Sequence, residues 1–92
     1  MTIYGDPAPY TEEDTYVQAS ETEDPDVLDE LAKVPNFKTR KAVALNGFTE
    51  RHTLKKLASE NANPIRYYAL QNIARRFYPG YDVEQVEVFE GI

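Results

Sequence analysis

The apolar positions of this chain fall into short helical stretches that recur. Leu28, Leu31 and Ala32 stand at i, i+3 and i+4, on one face of a helix. Leu54, Leu57 and Ala58 repeat that spacing 26 residues later. After each comes a polar break and then a second apolar stretch. It is Ala42, Val43, Ala44 and Leu45 in the first case, and Ile65, Tyr68, Ala69 and Ile73 in the second. Aligning residues 28–46 with 54–72 gives five identities in nineteen positions, adding Arg40 with Arg66 and Asn46 with Asn72 to the two leucine pairs and the alanines. Val17 and Ser20 precede Val43 and Asn46 by the same 26 residues, so the stretch 11–20 reads as the second half of an earlier, incomplete unit.

The polar breaks carry start and stop signals. Thr11 suits an N-cap, with acids in the turn that follows. Asp24-Pro25 and Asn63-Pro64 each offer an N-cap and a proline at the first helical position. Thr49 is the expected cap of a helix at 50–59, Pro35 and Asn36 stop the helix before them, and Asn46-Gly47 suggests a left-handed stop. The pattern predicts five helices at 11–20, 25–33, 38–46, 50–59 and 64–77, with Pro79-Gly80 ending the last. Beyond it Val86, Val88 and Phe89 alternate loosely, and a short strand, an ordered arm and a disordered end are all compatible with that tail.

A period of this length built from helix pairs is the signature of a stacked array. The run PDVLDELAKVPNFKTRKAVALNGFTERHTLKKLASENANPIRYYALQN resembles the leucine-rich repeat variant family, relatives of HEAT-type repeats. The residues that carry the resemblance are Leu28, Leu31, Ala32, Arg40, Val43 and Asn46, then Leu54, Leu57, Ala58, Ile65, Arg66, Ala69 and Asn72. It implies an all-α fold, a short right-handed solenoid of about two and a half helical-hairpin repeats with irregular acidic termini. Such a fold implies a binding role but names no ligand. One domain, 1–92, is expected, with a half repeat in the acidic segment 1–22, repeats at 23–48 and 49–78, and an acidic tail at 79–92.

Charge sharpens this picture. Residues 1–36 hold ten acids and one base, residues 37–78 nine bases and two acids, and residues 79–92 four acids and no base. Either the acidic ends fold back on the basic middle, or each segment faces a different partner. Asp29 and Glu30 precede Lys55 and Lys56 by 26 residues, so stacked units would set two acids opposite two bases. Arg40, Arg66, Asn46 and Asn72 recur once per unit and are read as structural, binding helix-end carbonyls or carboxylates.

Candidate chemistry is sparse. Cysteine is absent, which excludes disulfides and thiolate sites. His52 is the single histidine, so neither a metal centre nor a general base has partners, and no catalytic residue or cofactor is expected. No apolar run spans a bilayer and MTIYGDPAPY lacks signal-peptide features, so a soluble, cytoplasmic protein is expected. The leading expectation is a non-enzymatic module that binds another protein, with Lys41, Tyr67, Lys55 and Lys56 as contact candidates. The runner-up is an acidic inhibitor that imitates nucleic acid, of phage or mobile-element type, using the stretch EEDTYVQASETEDPDVLDE. Nucleic-acid binding by the basic middle, where tyrosines lie among lysines and arginines, comes third, because the chain is acidic overall. The apolar flank left open after residue 77 calls for a cover. The tail through Val83, Val86, Val88 and Phe89 would serve, and so would a second copy in a homo-oligomer.

Overall fold

Asp24 shows how locally the chain is written. Its side chain accepts the backbone N–H of Asp26, Pro25 takes the first helical position, and a helix follows. In the computed structural model, which describes residues 12–60 and 63–92, the chain is all-helical. Six helices run in order: α1 (Glu12–Glu21), α2 (Pro25–Leu31), α3 (Phe37–Leu45), α4 (Arg51–Ala58), α5 (Asn63–Phe77) and α6 (Val83–Glu90). The expected Thr11 cap lies outside the described residues.

α1, α3 and α5 pack in sequence, α1 on α3 and α3 on α5, while α4 and α6 lie against α5 and α2 against both α1 and α3. The result is elongated, 48 × 24 × 16 Å. One apolar cluster runs its length, with Ala19, Leu28, Val43, Leu54, Leu57, Ile65, Leu70, Ile73 and Val86 almost wholly buried. Each large aliphatic side chain in it contributes about 1.5–3 kcal/mol. α3 buries consecutive residues, Ala42, Val43 and Ala44, because it is flanked on both sides by helices, so it has no single apolar stripe. α4 is the opposite case. Thr53, Leu54, Leu57 and Ala58 face inward and the rest is polar.

Three local expectations need correction. Thr49 does not cap α4. Glu50 holds the N-cap position without a side-chain bond, and Thr49 is fully buried, its hydroxyl donating to the Val43 carbonyl at 2.7 Å. Asn46 ends α3 in extended conformation (φ −76°, ψ 127°), not left-handed, because its side chain is engaged elsewhere. Asn36 is the N-cap of α3, accepting the Lys38 N–H, so α3 starts at Phe37.

The tail is neither strand nor disordered. α6 opens on a capping box, in which Asp82 accepts the Gln85 N–H and the Gln85 side chain accepts the Asp82 N–H. It closes on Gly91 at φ 72°, a left-handed conformation that glycine adopts without strain. Val86 is fully buried and Val83 half-buried against the core, whereas Val88 and Phe89 are exposed. The same tail aromatic packs on its neighbours, Phe89 lying 5.5 Å from Tyr78 and 5.2 Å, edge-on, from Tyr81.

Candidate functional site

The fate of the nine cations in 37–78 decides what surface remains. Arg40 donates to Glu60 at 3.1 Å. Arg66 donates to the Ala58 carbonyl and to Glu87. Arg76 donates to the Thr49 carbonyl at 2.6 Å and reaches the Asn72 oxygen at 3.3 Å. Arg51 places its Nε 3.0 Å from Glu90, Lys55 Nζ stands 3.8 Å from the same carboxylate, and the Tyr78 hydroxyl also donates to it. Five of the nine are thus engaged inside the fold, and the acidic tail does much of the neutralising through Glu87 and Glu90. Lys41, Lys56 and Arg75 form no ion pair among the described residues.

Glu90 is buried, and burial pushes its carboxyl up. Bonds from Arg51 and Tyr78 and the charges of Arg51 and Lys55 outweigh that and hold it below the ordinary carboxylate range. Tyr78 is raised in turn, chiefly by its bond to Glu90. Burial, with Arg75 nearby, lowers Arg76.

The expected opposition of Asp29 and Glu30 to Lys55 and Lys56 takes a different form. Asp29 accepts the Thr53 hydroxyl at 2.8 Å and lies 3.7 Å from Lys33 and 3.5 Å from His52. That hydroxyl bond, opposed by burial and aided by Lys33, Lys56 and His52, sets Asp29 below its ordinary value. Glu30 pairs with Lys33 at 3.2 Å. Lys55 turns to the C-terminal helix, and Lys56 acts on Asp29 only through its field. α4 is thereby tied to α2 and to α6 by polar bonds, whereas α1, α3 and α5 meet mainly through apolar side chains.

The two asparagines tie successive helices together. Asn46 Nδ2 donates to the Ala19 and Thr22 carbonyls, both at 2.9 Å. Asn72 Nδ2 donates to the Ala44 carbonyl at 3.0 Å and to the Asn46 carbonyl at 2.9 Å. Each amide satisfies helix-end acceptors of the helix packed beside it. A buried hydroxyl pair, Thr15 and Thr39 at 2.7 Å, adds a further link between α1 and α3.

Of the four contact candidates, Lys41 and Tyr67 share one surface. Lys41 Nζ sits 5.5 Å from the centre of the half-buried Tyr68 ring, and the Tyr67 ring, 51% exposed, lies 6.2 Å from that of Tyr68. Gln71 donates to the Tyr67 hydroxyl at 3.0 Å, and a broad concavity continues from there past Arg75 to Tyr81 and Glu84. On the other side Lys38 Nζ stands 4.3 Å from the Tyr16 ring centre, and a groove between α1 and α3 separates the two lysines' helix from α1. Lys55 and Lys56 belong to α4 and are held apart from this surface by their own neighbours, Glu90 and Asp29.

The sequence reading passed over Tyr16, Lys38, Gln71 and Arg75, and also Glu87 and Glu90. A signal existed for Tyr16, which precedes Tyr68 by 52 residues, twice the repeat spacing. Glu87 and Glu90 were hidden by taking the tail as extended. Among the described residues no group of three or more His, Asp or Glu is arranged to hold a metal ion, and no helix is long and apolar enough to cross a membrane. The chain matches no family model, no curated protein and no solved structure.

Proposed function

We propose that this chain is a small non-enzymatic protein-binding module, a short right-handed solenoid of leucine-rich-variant type whose second helices, α1, α3 and α5, carry the contact face. The recurrence of the Asn46 and Asn72 bonds supports the repeat. So does the parallel between Arg40 with Glu60 and Arg66 with Glu87. The observation that carries the function is the Lys41–Tyr68–Tyr67–Gln71 array. It sets exposed aromatic surface beside a cation that no carboxylate neutralises, the composition that anchors protein interfaces. Phosphate binding by the basic middle is disfavoured because Arg40, Arg51, Arg66 and Arg76 are engaged internally.

A pull-down with tagged chain from host lysate, with and without nuclease, tests this. A protein retained after nuclease by the wild type and lost with the Lys41→Glu, Tyr67→Ala double variant is the expected result. Recovery of nucleic acid, or of partners that nuclease removes, overturns it. The second reading, an acidic inhibitor imitating nucleic acid, is favoured by one observation. Glu21, Glu23 and Asp26 are exposed at the α1–α2 end and form no ion pair among the described residues. Loss of the partner on changing those three to glutamine or asparagine, with the Lys41 variant unaffected, would select it.

A further inference from the structure

The groove between α1 and α3 has a chemistry of its own. Tyr16 and Ser20 line it from α1, and Lys38, Lys41, Ala42 and Leu45 from α3; no carboxylate is in its lining. It encloses about 290 Å³, at the lower end of ligand pockets, which suits one or two side chains of a peptide better than a cofactor. Leu45 is 48% exposed and with Ala42 gives the groove an apolar wall. The ammonium groups of Lys38 and Lys41 rest over the Tyr16 and Tyr68 rings. A ring holds an ammonium in place without cancelling its charge, so its N–H donors stay directed to an incoming acceptor. Lys41 has no carboxylate partner among the described residues.

We infer that this groove is a docking site for an acidic peptide segment of another protein, an aliphatic side chain seating against Ala42 and Leu45 while flanking carboxylates meet Lys41 and Lys38. The inference rests on the protein-binding reading and names its partner by chemistry. Charge complementarity selects the occupant. The groove presents cations on a chain whose other surface charge is largely acidic, so an acidic segment gains here what it would lose elsewhere on the molecule. A nucleic-acid strand would need a continuous row of free cations, and the neighbouring arginines do not supply it.

The test is a fluorescence-polarisation titration of the full chain, at low salt, with a labelled peptide in which glutamates flank a central leucine. Lys41 is partly exposed, and circular dichroism confirms that Lys41→Glu and Lys41→Gln keep the fold. Binding is expected to weaken about tenfold or more when the glutamates are replaced by glutamines, and likewise with Lys41→Glu. Lys41→Gln should fall between, and raised salt should weaken the wild type. Absence of peptide binding, equal binding of the glutamine peptide, or an unchanged affinity for Lys41→Glu overturns the assignment. So does competition by duplex oligonucleotide stronger than by unlabelled peptide, or Lys41-dependent self-association in place of peptide binding. A lysate partner retained equally by wild type and Lys41→Glu removes the groove while leaving the protein-binding reading standing. A wild type that retains no partner yet binds the acidic peptide Lys41-dependently keeps the groove and removes the wider reading.

Discussion

Replacing Asn72 by alanine isolates the bond that joins α5 to the end of α3. Asn72 is 1% exposed, and its amide donates to the carbonyls of Ala44 and Asn46. The two acceptors are not equivalent. The Asn46 carbonyl also accepts the Thr49 N–H at 3.2 Å, so it keeps a partner. The Ala44 carbonyl sits in the last turn of α3, beyond the reach of intrahelical donors, at a buried bond. Stranding one buried acceptor costs about 1–3 kcal/mol, and the small void left by the amide adds to it, so Asn72→Ala should cost about 2–4 kcal/mol. For a chain of this length the whole stability is about 5–14 kcal/mol, so the variant remains folded but its urea midpoint falls clearly. Asn46→Ala is the internal control. Its acceptors, the Ala19 and Thr22 carbonyls, lie where the bonds are only partly buried, and water replaces the lost donor, giving about 1–2 kcal/mol. Urea unfolding followed by circular dichroism measures both. An Asn72→Ala loss below about 1 kcal/mol, or smaller than that of Asn46→Ala, would refute the reasoning.

Three further outcomes follow from the same contacts. Glu90→Gln should loosen α6 and speed amide exchange in residues 83–92, and because Glu90 is held below the ordinary carboxylate range its contribution is present above that range and lost as pH falls through the folded value. The stability gap between wild type and Glu90→Gln should therefore be full at neutral pH and close in acid; a gap that widens in acid contradicts the assignment. Leu57→Ala, at a side chain 1% exposed between α4 and α5, should cost about 2–5 kcal/mol by the same urea assay, and a cost under about 1 kcal/mol would place Leu57 outside the core. Gly80 holds φ +94° with open space where a side chain would be, so Gly80→Ala should lose about 1 kcal/mol from backbone strain alone, and no loss would show that the turn relaxes.

Much of the fold was legible from periodicity and punctuation. Leu28 with Leu31, and Leu54 with Leu57, mark the inward faces of α2 and α4 because both helices bury only one side. Asp24-Pro25 marks a helix start because its chemistry is local. What failed depended on tertiary competition. Thr49 has the residue type of a cap, but the Val43 carbonyl is nearer to hand and the hydroxyl is buried there. Asn46-Gly47 has the composition of a left-handed stop, but the side chain of Asn46 is drawn to α1, which fixes its backbone as extended. The tail was misread although it contained its own correction, since Asp82 and Gln85 have capping-box spacing and Val83, Val86 and Glu90 share a helical face. Two of three alternating apolar residues outweighed that signal.

The contact surface was less legible than the fold. Lys41 and Tyr67 occupy corresponding repeat positions, which is why they point the same way, but Lys55 and Lys56 belong to a helix whose charges are answered by Asp29 and Glu90. Composition could not show which of nine bases would be engaged, because their partners Glu60, Glu87 and Glu90 lie 20, 21 and 39 residues from Arg40, Arg66 and Arg51 in sequence.

The central claim is that the face of α3 and α5, and not that of α4, meets a protein partner. Amine-reactive footprinting of the chain, free and in the captured complex, read by mass spectrometry, compares Lys41 with Lys56 inside one sample. Neither lysine forms an ion pair among the described residues, so both report on solvent access in the free chain. The account predicts that the partner protects Lys41 and leaves Lys56 labelled. Protection of Lys56 with Lys41 still reactive would contradict it.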